Sequence, residues 1–211
     1  MTQVGEPVAP PGVDAPEPEP DKPEPCKRIY LHAFRGERSR EFVADFNAKL
    51  VAAKNGQGAG PTITEVLIWS GHVGVSFEAQ SPIYGFNPKV GAGQSVVDVV
   101  EQLKARAVPY PGTVTDDSAV FGEARQRGLK VVTIEYIYPE SRYLEIKAKC
   151  DAERGSSQYR YSFPGGGGDC NCATFPARIG LPVPEATGNM KNYMPAAEAA
   201  PTPQKKGKCD G

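Results

Sequence analysis

The chain has 211 residues and a formal net charge of -1 at pH 7. That length can bury one hydrophobic core, and the balanced charge gives no electrostatic case for a nucleic-acid partner. No apolar run nears the roughly 18 residues that span a bilayer, and the N-terminus lacks the basic-then-apolar order of a secretory signal. The expectation is a protein with no integral membrane segment, cytoplasmic as synthesised and exported, if at all, by a signal-peptide-independent route.

Residues 1–25 are Pro-Glu and Pro-Ala steps with almost no large apolar side chain. Such a composition cannot offset the entropy of ordering, so they read as a disordered Pro-rich tether through which a carrier or secretion partner could be joined. Arg28-Ile29-Tyr30-Leu31-His32-Ala33-Phe34 reads as the first strand. Ser39 is placed to cap a helix in which Phe42, Val43, Phe46 and Leu50 recur at helical spacing up to Lys54, with Asn55-Gly56 as the stop.

Ile63 to Phe77 is rich in β-branched and aromatic residues and reads as the first arm of a hairpin, which turns at Gln80-Ser81-Pro82 into Ile83-Tyr84-Gly85-Phe86. Ser95 to Ala107 carries Val96, Val99, Val100 and Leu103 on one face and reads as a second helix. Leu129 to Tyr138 reads as a strand and Pro139 to Glu153 as a third helix, its Pro-Glu-Ser start suiting a first turn. Pro176 fits only the first turn of a helix, so the helix ending at Gly180 begins between residues 172 and 175. The prolines at 182 and 184 then force an extended path, from which Met190, Tyr193 and Met194 can pack back as a cleft wall or as a strap over the core. Residues 198–211 read as a disordered tail, which leaves 26–197 as a single α+β domain.

The five cysteines, Cys26, Cys150, Cys170, Cys172 and Cys209, are scattered and odd in number, which points to a reducing compartment rather than a disulfide framework. Cys172 stands apart because it lies where the Gly165–Gly168 run gives way to a helix start. Unsatisfied N–H groups there favour a thiolate and can hold an oxyanion. Cys170 lacks that position and reads as a buried bystander or a redox partner. His32 alternates with apolar neighbours and reads as structural, and Trp69 as core. A zinc site built from Cys170, Cys172 and His72 lacks both the two-residue spacing and a fourth ligand. The glycine run lacks the Gly-Lys-Ser/Thr ending of a phosphate cradle. Neither a metal nor another cofactor is expected.

Gly71-His72-Val73-Gly74-Val75 on a strand, followed by Asn171-Cys172 opening a helix with Phe175 three places on, resembles the circularly permuted branch of the NlpC-like papain-fold hydrolases. Lecithin:retinol acyltransferase and its relatives belong to that branch, in which the histidine precedes the cysteine, as here. The resemblance covers roughly residues 63–180. It implies a permuted papain-like arrangement in which a small antiparallel sheet packs with helices. It also implies Cys172 as nucleophile, His72 as base, the Cys172 N–H as one oxyanion donor, and acyl transfer through a thioester.

The family's third polar residue, which orients the histidine, has no obvious counterpart. Asn87 is preferred because an amide oxygen can accept the imidazole N–H, with Tyr84 beside it and Asp116 and Asp117 open through tertiary approach. Glu78 lies about 20 Å along the strand from His72 and is out of reach. The implied activity is that of a cysteine amidase or peptidase acting on a peptidoglycan stem peptide or a protein amide. A thioester acyltransferase or esterase, and a binding module that keeps the fold without turnover, are the alternatives.

Overall fold

A computed structural model describes residues 24–92, 94–105, 110–155, 157–162, 170–182, 190–200 and 204–205. Strands β1 (Cys26–Arg35), β2 (Gly71–Phe77), β3 (Tyr84–Pro88), β4 (Tyr110–Asp116), β5 (Val131–Pro139) and β6 (Arg160–Tyr161) form an antiparallel sheet in the order β6-β4-β3-β2-β1-β5. A short β7 (Gln204–Lys205) adds in parallel on the β5 edge. The helices are α1 (Arg40–Lys54), α2 (Ile63–Ser70), α3 (Val96–Ala105), α4 (Ser118–Gln126), α5 (Glu140–Ala152), α6 (Phe175–Ile179) and α7 (Met190–Ala199). The protein is thus an α+β fold with an antiparallel sheet packed with helices.

β1 is the axis of the packing, because its side chains alternate between two buried faces. Ile29, Leu31 and Ala33 join Val73 and Val75 of β2, Phe86 of β3, Tyr143 and Ile146 of α5, Phe175 of α6 and Tyr193 of α7 in one core. Phe34 points the other way, into Phe42, Phe46 and Leu50 of α1, Leu67 and Ile68 of α2 and Phe121 of α4. Each fully buried side chain of this size contributes about 1.5–3 kcal/mol. The start of α5 is covered by the end of the Pro-rich segment: the Ser141 N–H donates to the Glu24 carboxylate (2.9 Å) and the Glu140 N–H to the Pro25 carbonyl (3.0 Å).

Several elements depart from the sequence reading. Ile63–Ser70 is a helix and not the first part of a strand. Thr62 and Glu65 form a reciprocal capping box, which outweighs the β-branched content, and only from Gly71 does the chain extend. β4 and α4 were not anticipated at all. Tyr110-Pro111-Gly112 breaks the apolar alternation that marks a strand, although Pro111 is tolerated close to the sheet edge. Gln204–Lys205, in the stretch read as a disordered tail, pair with Tyr136 and Ile137. Cys26 is disulfide-bonded while Cys150, Cys170 and Cys172 are free, a bond that the reading of a reducing compartment did not anticipate. Cys209 and the Gly165–Gly168 run lie outside the described residues.

His32 is structural, as its alternation suggested. It is buried between Thr133 Oγ1 and Ser76 Oγ, each 3.0 Å from a ring nitrogen, and a neutral imidazole can donate to one hydroxyl and accept from the other. Burial, with the charge of Arg125 adding to it, pushes its pKa down to about 4. The unfolded chain takes up this proton near pH 6.5 and the folded chain only near pH 4. Stability therefore declines as pH falls through that window, by about 3 kcal/mol at most. Urea unfolding across this range is expected to show a shallower acid decline for His32→Gln than for wild type, and parallel declines would contradict the assignment.

Candidate active site

His72 occupies the second position of β2 and is completely buried, its ring packed against Phe34 (6.5 Å between centroids) and Phe121 (5.7 Å). β2 and β3 are paired only at Gly74–Gly85 and Val75–Tyr84. The seam between them is therefore unpaired on the side of His72 and Asn87, which leaves room for side chains. Gly85 borders that space, and a Cβ there would overlap both His72 Nε2 and the Asp117 carboxylate.

Asp117 orients the histidine. Its Oδ2 accepts a hydrogen bond from His72 Nε2 at 2.7 Å, and both groups are buried. Asp117 stands at the N-cap of α4 without capping it. Asp116 takes over that work, its Oδ1 accepting from the Ser118 N–H (3.0 Å) and hydroxyl (2.6 Å), so the Asp117 carboxylate is left to turn inward. Its second oxygen, Oδ1, accepts from Thr115 Oγ1 at 2.7 Å.

Asn87, preferred from the sequence as the orienting residue, does not bond the imidazole. Its Nδ2 donates to Asp117 Oδ2 (2.8 Å) and to Thr115 Oγ1 (2.6 Å), one step behind the histidine. An amide beside an anion must present its N–H end, which removes the acceptor role expected of it. Tyr84 instead packs on Phe77 and under the Arg154 guanidinium, and Glu78 accepts from the Arg28 N–H (3.2 Å) at the far end of β2.

Cys172 approaches from the other core. It precedes α6 in a turn held by Asn171, whose Oδ1 accepts from the N–H groups of Ala173 (2.9 Å) and Thr174 (3.1 Å) and whose carbonyl accepts from Phe175 (2.9 Å). Pro176 lies in the first turn as expected, but the helix begins at Phe175 and is only five residues long. A helix dipole consequently does little for the thiol, and His72 is the titratable group whose ring the Cys172 charge acts on. The Phe175 ring stacks on Phe86 (5.1 Å), and Phe86 on Tyr161 (5.8 Å), which fixes the Cys172 turn to β3.

Burial lowers the pKa of His72, but the charge on Cys172, the hydrogen bond that the ring donates to Asp117 and the contact with the Cys172 sulfur outweigh it and raise the value to about 10. A protonated imidazole beside the Asp117 carboxylate is the arrangement this favours. Its Nδ1 is buried and has no hydrogen-bond partner among the described residues.

Tyr161 is a site residue that the sequence did not reveal. Its buried hydroxyl contacts the Cys172 sulfur, and burial followed by the charges of Cys172, Cys170 and Asp117 holds its pKa well above the usual range. A phenol that keeps its proton can donate to a thiolate. Cys170 bridges to Tyr161 in the backbone and is bonded to the Asn171 carbonyl and the Thr174 hydroxyl. Among the described residues no group of three or more His, Cys, Asp or Glu side chains is arranged to hold a metal ion. No helix of the described residues is long and apolar enough to cross a membrane. No family model matches the chain, and neither a curated protein nor a solved structure matches it.

Asp117→Asn is expected to slow iodoacetamide alkylation of Cys172 at about pH 6 by roughly tenfold or more, because each unit lost from the His72 pKa is worth a factor of ten. Asn87→Ala should slow it less. Equal effects, or none, would place Asp117 outside the activating network.

Proposed function

We propose that the protein is a cysteine-dependent amide hydrolase with Cys172 as nucleophile, His72 as acid and base, and Asp117 as the residue that orients His72. The supporting observation is the buried Asp117–His72 hydrogen bond on Nε2 combined with the action of the Cys172 sulfur on the same ring. A permuted papain-like arrangement accounts for the order of His72 before Cys172.

In this reading the Cys172 thiolate attacks the carbonyl carbon and the carbonyl oxygen becomes an oxyanion, with the Cys172 N–H as one donor. Asn171 occupies the N–H groups of Ala173, Thr174 and Phe175, and among the described residues none of these competes for the oxyanion. His72 passes its proton to the departing amine, leaving a thioester. Neutral His72 then takes a proton from water, which attacks the thioester and releases the acid. Asp117 holds the ring in position for both transfers and is the closest charge to the imidazolium on the Nε2 side.

Cys172 keeps only 6 % of its surface exposed, so a small reagent can reach it while a peptide requires its neighbours to part. The disulfide at Cys26 favours a working environment that is oxidising, and peptidoglycan stem peptides are a substrate class found in such surroundings. The esterase or acyltransferase reading uses the same steps with a different acceptor.

Selectivity among thiols is a first test. Burial raises Cys150 to about 12 and Cys170 to about 11, so iodoacetamide should label Cys172 ahead of both, and His72→Ala should abolish that preference. Mass spectrometry of peptidoglycan fragments incubated with the protein is the second. Cleavage is expected with wild type and with Cys170→Ala, none with Cys172→Ala, and a loss of about 10²–10⁴-fold with His72→Ala. Slow, equal labelling of the free thiols, or activity in Cys172→Ala, would overturn the proposal in favour of a binding module.

A further inference from the structure

Three buried side-chain polar atoms among the described residues lack a hydrogen-bond partner: His72 Nδ1, Asn87 Oδ1 and the Tyr193 hydroxyl. His72 Nδ1 belongs to the proton transfers. Asn87 Oδ1 is an acceptor and has nothing to offer an anion. Tyr193 Oη alone is a donor without a task.

Its surroundings give it one. Tyr193 is completely buried, and it belongs to the same core as Cys172, Tyr161 and Phe175. It sits on α7, which lies against β1 and β5, so the packing of that helix on the sheet holds the ring in place. Burying a hydroxyl with no partner is costly, and a well-packed core that retains one has room for an acceptor that arrives later. The neighbouring Tyr136 hydroxyl is not that acceptor's donor, since it donates to the Pro182 carbonyl at 3.1 Å. Tyr161 is likewise engaged, at the sulfur.

We propose that Tyr193 is a catalytic residue whose hydroxyl donates the second hydrogen bond to the oxyanion formed when Cys172 attacks a carbonyl. This rests on the reading of Cys172 as an acyl-accepting nucleophile. As the carbon–sulfur bond forms, the carbonyl π pair moves onto oxygen, where the Cys172 N–H and the Tyr193 O–H receive it. On collapse that pair returns to rebuild the carbonyl, and the bond to the leaving group breaks with a proton supplied by His72. Tyr193 lends a hydrogen bond and keeps its own proton throughout. Consistent with this, burial first and then the charges of Tyr136 and Cys172 hold its pKa above the ordinary phenol range, which also puts the hydroxyl within the electrostatic reach of the sulfur.

The test compares two reagents on the full chain. 4-Nitrophenyl acetate acylates a thiolate through an oxyanion, whereas iodoacetamide alkylates it by displacement at a saturated carbon and forms none. Tyr193→Phe is expected to slow acetylation of Cys172 by about 10²-fold, the usual effect of removing one oxyanion donor, while the alkylation rate and thermal unfolding stay as in wild type. Tyr161→Phe, which alters the sulfur itself, should change both reagents in the same proportion. The inference is overturned if Tyr193→Phe slows both reactions together, which would make Tyr193 a packing residue, or slows neither. Wild-type Cys172 reacting with both reagents no faster than an unfolded thiol would instead remove the hydrolase reading on which the inference rests, and the two failures are told apart by the wild-type rates alone.

Discussion

A carboxylate and an imidazole, both out of reach of water, are held 2.7 Å apart at the end of a strand, and the rest of the site is arranged around that contact. Buried charges are costly to desolvate, and removing one partner of such a pair typically costs about 3–5 kcal/mol. The chain meets the cost with hydrogen bonds. Thr115 satisfies one oxygen of Asp117, Asn87 and His72 share the other, and Asn87 and Thr115 are tied to each other. Gly85 supplies the space, since any side chain there would fall between the two groups. Once the carboxylate is fixed, the only direction left for the imidazole to exchange a proton is through Nδ1, toward the sulfur.

Much of this depends on two elements lying on opposite faces of one sheet. Phe34 and Phe121 seat His72 from one core, while the Phe86–Phe175 and Phe86–Tyr161 stacks anchor the Cys172 turn from the other. The short β2–β3 ladder is what lets the two meet, because a fully paired seam would separate them. Enclosure then strengthens every charge interaction inside the site. The helix α7 packs into the same core that holds the thiol.

Cys172 and His72 stood out in the sequence because each sits in a short pattern with a local cause. Cys172 precedes a proline-marked first helical turn, and His72 lies in an extended run between glycines. Asp117 was not singled out for the opposite reason. Its position depends on β4, which a Pro-Gly step disguises, and on Asp116 serving α4 in its place, which only the folded geometry reveals. Asn87 was noticed for its place on the partner arm, yet its amide had to face an anion that the sequence could not locate. The helix at Ile63–Ser70 was concealed by its β-branched residues, although the Thr62 and Glu65 capping pair was present to be read. Tyr161 carries no local signal, and Tyr193 reads from the sequence only as part of a cleft wall or strap. Their hydroxyls matter through what folds next to them, and β6 and α7 carry them into the same core as Cys172.

The central claim is that His72 stays protonated between Asp117 and Cys172 at a pH where an ordinary histidine is neutral. The chain has only two histidines, so nitrogen-15 NMR of histidine-labelled protein reads each of them directly. At about pH 8, well above the ordinary histidine pKa of roughly 6.5, the account predicts one neutral ring, His32, and one imidazolium, His72, with the latter becoming neutral in Cys172→Ala at lower pH than in wild type. Two neutral rings in the wild-type spectrum, or an imidazolium indifferent to the loss of Cys172, would contradict it.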